Sequence, residues 1–200
     1  MQKYTVEPHV HGPIKTFKYG GLPAIQVWGV DKAFTQLANY ITHKATRPFD
    51  IIIELGADYG GLTNALADNM ISEHAIIHSF DINKERFTNL WPEKIAFHCL
   101  DIYANFEFIS KLFNDGRRVL VLCDGGDKPR EYKEMIKWMN PGDMIMCHDY
   151  YPDRESFEQG KEIGRWNWWE FDDSSAVFDN SLKKPVNFFD EYCWFIQEKI

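Results

Sequence analysis

The 200-residue sequence lacks any long apolar run, and its apolar stretches, such as residues 51–53, are only a few residues long. A helix that crosses a membrane needs about 20 consecutive apolar residues, so the sequence predicts no membrane span. Residues 1–9 contain no apolar stretch either, and we expect no secretory signal there.

Positive charge is also scarce. The chain has 22 basic and 30 acidic residues, a formal net charge of −8, and no cluster of lysines and arginines. Nucleic-acid backbones and anionic membranes attract clustered basic residues, so we expect neither as the main partner. The sequence instead predicts a small ligand that is neutral or cationic.

Cysteine is rare, and no CxxC pair or Cys/His spacing of a zinc site is present. The four cysteines, Cys99, Cys123, Cys147 and Cys193, lie in or at the ends of apolar segments. We therefore expect buried, reduced thiols and a cytoplasmic location.

Apolar and aromatic residues are abundant, at 44% and 16% of the chain. Short continuous apolar segments are typical of buried parallel strands, and amphipathic patterns between them predict helices. The predicted strands are residues 51–55, 75–80, 95–99, 119–123 and 144–147, and the helical patterns cover 31–41, 62–70, 106–113 and 129–139. Residues 176–179 and 192–198 predict an antiparallel hairpin at the sheet edge. Alternation of this kind predicts an α/β fold with helices on both faces of the sheet.

A glycine-rich turn follows the first predicted strand. The segment runs from Glu54 through Gly56 to Gly60 and Gly61, and leads into a helix. This spacing differs from the GxGxxG turn that holds a dinucleotide pyrophosphate. An acid two residues before the first glycine would repel a phosphate and could accept hydrogen bonds from an ammonium group. The turn therefore favours a cofactor that carries an amino acid, although a helix-start turn with a surface glutamate has the same pattern.

Acidic residues also follow the second and third strands. Asp81 comes twenty residues after Gly61, where a carboxylate can accept both ribose hydroxyls of a nucleoside. Asp101 could accept an adenine amino group beside an apolar residue that covers the ring. Either aspartate alone could cap the next turn. Together with Glu54, they place acids at three successive strand ends and predict a nucleoside-containing ligand.

These motifs resemble those of the class I S-adenosylmethionine-dependent methyltransferases. Glu54-x-Gly56-x-x-x-Gly60 is similar to the first motif of the family, and Asp81 and Asp101 are similar to its ribose and adenine acids. The resemblance implies a Rossmann-like sheet of seven mostly parallel strands with an antiparallel C-terminal strand, and S-adenosyl-L-methionine as cofactor. The cofactor-binding residues that it implies are Glu54, Gly56, Ala57, Tyr59, Gly60, Asp81, Ile82, Asp101, Ile102 and Asp124.

Two narrower groups share further motifs. Residues 21–26 and the glycine turn resemble the cephalosporin-hydroxylase and rhamnosyl O-methyltransferase group. Residues 124–126 and 147–150 are similar to the macrolide sugar O-methyltransferases. The resemblance implies one methyltransferase domain over residues 1–200, with an N-terminal extension at 1–30 and a substrate-side insertion at 150–175. It also implies a hydroxyl of a sugar or glycosylated natural product as the methyl acceptor.

In the macrolide group, acids after the fourth and fifth strands hold a divalent metal. The corresponding set here is Asp124, His148 and Asp149, with His148 in place of an acid. A histidine ligand shifts the preference from Mg²⁺ toward Mn²⁺, Fe²⁺ or Zn²⁺. Alternatively, His148 is a general base and no metal binds, or the segment is a simple cap. Asp124 and His148 are the predicted catalytic residues, and Asp127 and Lys128 are further candidates for a base.

The sequence thus predicts an O-methyltransferase for a small-molecule hydroxyl, with Mg²⁺ or Mn²⁺ as a second cofactor. The alternatives are a metal-free N- or O-methyltransferase of the same fold and a non-catalytic nucleoside-binding module. The tryptophan-rich residues 165–170 either cover the acceptor or pack at the sheet edge. We expect His9 and His11 to be loop residues, and the aromatic content is compatible with a homodimer.

Overall fold

The computed structural model describes residues 4–8, 15–27, 48–69, 74–114, 116–165, 168–183 and 193–200. The predicted helix at 31–41 lies outside these residues. So do His9, His11, Met70 and Tyr192, and residues 166–167 of the tryptophan-rich segment.

The N-terminal extension forms a small sheet that the sequence analysis did not predict. Strands β1 (Tyr4–Pro8), β2 (Lys15–Tyr19) and β3 (Leu22–Val27) pair in this order and are antiparallel. Strand β3 packs on helix α1 (Gly61–Asn69). A Cβ atom on Gly61 would lie only 1.7 Å from the Pro23 carbonyl oxygen, so this contact requires glycine.

The main sheet has seven strands. They are β4 (Ile51–Leu55), β5 (Ile76–Asp81), β6 (Ile95–Cys99), β7 (Val119–Cys123), β8 (Met144–Cys147), β9 (Leu182–Lys183) and β10 (Phe195–Lys199). Their order is β6-β5-β4-β7-β8-β10-β9. Neighbours among β4 to β8 are parallel, whereas β10 is antiparallel to both β8 and β9. The predicted seven-stranded sheet with an antiparallel C-terminal strand is confirmed.

Short helices connect most of the strands. Besides α1, they are α2 (Phe106–Ser110), α3 (Lys128–Met135) and α4 (Arg154–Glu162), with 3₁₀ turns at Ile102–Ala104 and Lys111–Phe113. Residues 82–94, all described, join β5 to β6 through turns without a helix. Helix α3 starts as predicted, because Asp127 caps it and Pro129 lies in its first turn. Among the described residues, every helix is too short or too polar to cross a membrane.

The core has two layers, one on each face of the sheet. Ile52 of β4 packs in one apolar cluster with Leu66 of α1, and Ile53 packs in the other with Tyr132 of α3. Successive side chains of a strand point to opposite faces, so a strand buried on both faces must be apolar throughout. Every residue of β4, β7 and β8 is buried, which explains why these strands are apolar at every position except Glu54.

Two predictions about the fold were wrong. Residues 176–179 form no strand, because Val177 bonds through its backbone to the side chains of Tyr132 and Gln197. The strand that pairs with β10 is β9 instead. Cys99 is exposed rather than buried, because β6 is an edge strand of the sheet, and none of the four cysteines forms a disulfide.

Candidate cofactor and active site

The carboxyl ends of five parallel strands border a cavity of about 920 Å³. This volume is within the range of about 300–1,000 Å³ that small-molecule sites occupy. The residues directly after each of β4 to β8 contribute to its lining, as expected for ligand sites in open α/β sheets. Pro23 and Ala24 of β3 also line it, so the N-terminal extension forms part of its wall.

Most of the predicted site residues meet in this cavity. They are Glu54, Gly56, Ala57, Asp81, Ile82, Asp101, Ile102, Asp124, His148 and Asp149. Tyr59 and Gly60 lie outside the lining formed by the described residues. Tyr59 is partly exposed under the Arg86 guanidinium, and Gly60 packs against Phe87.

The glycine turn holds two strand ends in contact. Gly56 has a φ of +91°, which favours glycine, and a Cβ atom there would lie 2.3 Å from the carbonyl oxygen of Asp124. The Asp124 N–H donates to the Leu55 carbonyl at 2.9 Å. Glycine at position 56 therefore brings the loop after β7 against the loop after β4.

Glu54 is a buried carboxylate at the cavity. Its Oε2 atom accepts hydrogen bonds from Ser79 Oγ at 2.5 Å and from Thr63 Oγ1. Burial raises the pKa of Glu54 to about 7, although the two hydroxyl donors favour the ionised form. A positive group in the cavity would stabilise the carboxylate, so Glu54 is suited to an ammonium ligand.

Asp81 and Asp101 line the cavity and also hold turns in place. Asp81 accepts the N–H groups of Asp58 at 2.9 Å and Asn83 at 2.8 Å, one on each carboxylate oxygen. Asp101 caps the 3₁₀ turn after β6 by accepting the Tyr103 N–H at 2.9 Å. Capping, the alternative considered for both residues, is thus present. Each carboxylate oxygen retains a second lone pair for a ligand hydroxyl or amino group.

A compact charge cluster follows β7 and β8. His148 Nδ1 lies 3.1 Å from Asp124 Oδ1 and 3.3 Å from Asp149 Oδ1. Lys128 Nζ lies 2.7 Å from Asp149 Oδ2, 2.8 Å from Glu170 Oε2 and 3.7 Å from Asp124 Oδ1. Asp149 has a left-handed φ of +56°, a strained conformation that is common at functional sites. The cluster joins residues from three separate parts of the chain.

The carboxylates of this cluster favour the protonated forms of His148 and Lys128. Burial lowers the pKa of His148, but the Asp149 and Asp124 carboxylates outweigh it, so the net change is upward. Burial likewise opposes the charge on Lys128, and the surrounding carboxylates reverse this and raise its pKa. Lys128 is therefore charged throughout the physiological pH range.

The donor types at Asp124, His148 and Asp149 suit a divalent metal, and their ligand atoms lie within 4.8 Å of one another. Their surroundings do not fit one, because the Lys128 ammonium already binds Asp149 and lies beside Asp124. Metal binding by these three residues stays a prediction.

Sequence reasoning missed several residues of the site. It named Lys128 only as a candidate base and Glu170 only as part of a tryptophan-rich segment, and no local pattern predicts their ion pair. Glu131 of α3 was not predicted either. Its carboxylate accepts hydrogen bonds from the Tyr103 hydroxyl at 2.7 Å and from the Gly125 N–H at 3.2 Å. A Cβ on Gly125 would lie 2.4 Å from Glu131, so the Gly125-Gly126 pair was the available signal.

Comparison with solved structures identifies the fold. The chain is similar to cmcI-N160 with SAH, with a TM-score of 0.56 and 12% identity over 96% of this chain and 84% of that chain. The fold is that of a Rossmann-like methyltransferase. No family profile and no curated protein sequence matches the chain.

Two other solved structures are similar to the chain at lower TM-scores. A putative rRNA-methylase from Clostridium thermocellum has a TM-score of 0.49 and 13% identity, covering 86% of this chain and 97% of that one. Human N-acetylserotonin methyltransferase with SAM has a TM-score of 0.46 and 15% identity, covering 84% and 51%. Similarity at such low identity concerns the fold, and function must be argued from the site.

Proposed function

We propose that this protein is an S-adenosylmethionine-dependent methyltransferase that acts on a hydroxyl group of a small molecule. The observation that carries the proposal is the meeting of Glu54, Asp81 and Asp101 in one cavity with the Asp124–His148 pair. Three acids suit the ammonium, ribose and adenine groups of the cofactor, and the hydrogen-bonded pair suits a reacting hydroxyl.

The residues of the cavity fit the cofactor in chemical type. Glu54 would bind the ammonium group, Asp81 the ribose hydroxyls and Asp101 the adenine amino group. Ile82 and Ile102 add apolar surface beside the two aspartates for the adenine ring. When bound, S-adenosylmethionine supplies a methyl group on a positively charged sulfur, and the acidic lining favours this charge.

Asp124 is the residue of the pair that an acceptor can reach. Its side chain is 28% exposed, whereas that of His148 is 8% exposed. In the proposed reaction, Asp124 accepts a hydrogen bond from the acceptor hydroxyl and holds its oxygen toward the methyl carbon. The new C–O bond forms as the C–S bond breaks, and the electron pair of that bond stays on sulfur. The hydroxyl proton, which becomes strongly acidic during this step, passes to Asp124.

His148 and Lys128 act through Asp124 in this mechanism. His148 donates to Asp124 Oδ1 in its protonated form, and Lys128 lies 3.7 Å from the same oxygen. The His148 imidazole and the Lys128 ammonium group fix the orientation of the Asp124 carboxylate before the acceptor binds. His148 is thus assigned a positioning role instead of that of a base.

A ring-shaped acceptor, such as a sugar, agrees with the cavity wall. The Trp168 side chain lines the cavity and is 55% exposed, and its indole N–H donates to Glu170 Oε1 at 2.6 Å. Indole faces stack on rings, and this hydrogen bond fixes the indole orientation. The assignment to a sugar or glycosylated natural product rests on the family resemblance. Net charge of −8 weighs against nucleic acid as the acceptor.

The test is methyl transfer from labelled S-adenosylmethionine to a panel of sugar and phenol hydroxyls, with an amine panel beside it. Asp124→Asn should lower kcat by about 100-fold or more and change the affinity for S-adenosylhomocysteine by less than about threefold. Asp179→Asn, on an exposed loop, is the matched control.

Three results would overturn parts of the proposal. Full activity in Asp124→Asn would remove Asp124 from the reaction. Transfer to amines alone would replace O-methylation by N-methylation. Cofactor binding without transfer to any acceptor would support the non-catalytic module.

A further inference from the structure

Lys128 occupies an unusual place for a lysine. It is the first residue of α3, where the partial positive charge of the helix N-terminus disfavours a cation. Its side chain is only 4% exposed, so water does not solvate the ammonium group either. A lysine kept against both effects must be held by specific partners.

The partners are oxygens from three parts of the chain. Lys128 Nζ lies 2.7 Å from Asp149, 2.8 Å from Glu170 and 3.2 Å from the Gly125 carbonyl oxygen. Three acceptors match the three N–H groups of an ammonium ion. Asp124, at 3.7 Å, is a further neighbour of the same charge.

These contacts surround the same carboxylates that the predicted metal set uses. Asp149 has one oxygen on Lys128 and the other at 3.3 Å from His148, so both are engaged. A divalent ion between Asp124 and Asp149 would lie beside a buried ammonium group, and like charges repel strongly where water is absent. The ion would also have to displace a 2.7 Å ion pair.

We propose that the Lys128 ammonium is the resident cation of this cluster, taking the place of a divalent metal and excluding one. Lys128 then supplies a positive charge from within the chain to Asp149 and Glu170, with Asp124 beside them. The exclusion of metal follows from the contacts of Lys128 alone. Its catalytic consequence, methyl transfer that EDTA does not inhibit, rests on the proposed function.

The experiment is a titration of the purified protein with Mn²⁺ and with Mg²⁺, without cofactor, followed by calorimetry and by the electron paramagnetic resonance signal of free Mn²⁺. The wild-type chain should show no saturable site up to about 1 mM metal. Lys128→Met and Lys128→Gln remove the charge and should create a site that binds Mn²⁺ at least about tenfold more tightly. Asp149→Asn, added to Lys128→Met, should abolish that site.

Two controls separate charge from disruption of the fold. Lys128→Arg keeps the positive charge and should exclude metal as the wild type does. Lys161→Met, on exposed α4, removes a lysine away from the cavity and should bind no metal. Circular dichroism reports whether each variant folds. If Lys128→Met and Lys128→Gln do not fold, saturable metal binding to the wild type or to Lys128→Arg still overturns the proposal.

Saturable binding of Mn²⁺ or Mg²⁺ to the wild type below about 1 mM would overturn the proposal. So would folded Lys128→Met and Lys128→Gln variants that bind metal no better than the wild type. The titration contains no cofactor or acceptor, so its failure is distinct from failure of the proposed methyl transfer. Active, EDTA-resistant wild-type protein would extend the proposal to catalysis.

Discussion

Glu54 yields the sharpest prediction, because its ionisation should set the affinity for the cofactor. Burial raises its pKa to about 7, so near neutral pH the carboxyl group is about half protonated. Only the ionised form attracts an ammonium group. We therefore predict that S-adenosylhomocysteine binds more tightly as the pH rises through 7.

The size of the effect follows from the fraction ionised. With a pKa of about 7, that fraction rises from about 0.1 at pH 6 to about 0.75 at pH 7.5. If only the ionised form binds, affinity increases about eightfold over this range, or about 1.2 kcal/mol. The amino group of S-adenosylhomocysteine belongs to a free amino acid and stays protonated over this pH range, so the change in affinity reports the ionisation of Glu54.

Calorimetry of the wild type and of Glu54→Gln at pH 6, 6.75 and 7.5 measures the effect. Glu54→Gln keeps the shape of the side chain and removes its charge, so its affinity should be lower by about 1.5–3 kcal/mol at pH 7.5 and its pH profile flat. Glu134→Gln, at a partly exposed site on α3, should behave as the wild type does. A flat wild-type profile, or an equal slope in Glu54→Gln, would refute the role of Glu54.

Stability without ligand should depend on pH with the opposite sign. The pKa of Glu54 is raised from 4.5 to about 7 on folding, so the folded state retains a proton that the unfolded state loses. The contribution of Glu54 to the free energy of unfolding is fully present below pH 4.5. It decreases by about 3 kcal/mol as the pH rises to about 7. The free energy of unfolding, measured with urea from pH 5 to 8, should show this decline as a decreasing difference between the wild type and Glu54→Gln.

Two further predictions concern the strand ends. Gly56→Ala should destabilise the fold by about 2–4 kcal/mol, because the new Cβ meets the Asp124 carbonyl at 2.3 Å, and thermal unfolding measures it. Gly116→Ala, also at positive φ but with no atom within 4 Å, should cost only about 1–2 kcal/mol, and equal losses would refute the contact argument. Asp81→Asn should weaken S-adenosylhomocysteine binding about tenfold or more with the fold intact, and an unchanged Kd would remove Asp81 from the ribose site.

The sequence predicted the central strands well for a physical reason. Strands β4, β7 and β8 are buried on both faces, so their composition alone marks them, and polar or glycine residues mark their ends. The same logic failed at residues 176–179, where an apolar segment packs on the core but bonds to side chains instead of a strand. Apolar composition indicates burial, and the backbone partner depends on the rest of the fold.

The candidate site likewise contains residues that the sequence predicted and residues that it did not. Positions fixed by local geometry, such as Gly56 and the acids at the carboxyl ends of β4, β5 and β6, were predictable, because each strand end faces one cavity. The ion pairs of Lys128 with Asp149 and Glu170 join residues 21 and 42 positions apart, and only the folded chain brings them together. The signal in the sequence was a lysine at a helix N-terminus, where the helix dipole disfavours it.

The most direct test of the central claim is calorimetric titration of the wild-type protein with S-adenosylhomocysteine at pH 7.5, in EDTA. The account predicts saturable one-to-one binding with a Kd in the micromolar range, about −8 kcal/mol. No saturable binding at about 1 mM ligand, in protein shown to be folded, would contradict the assignment of the cavity to this cofactor.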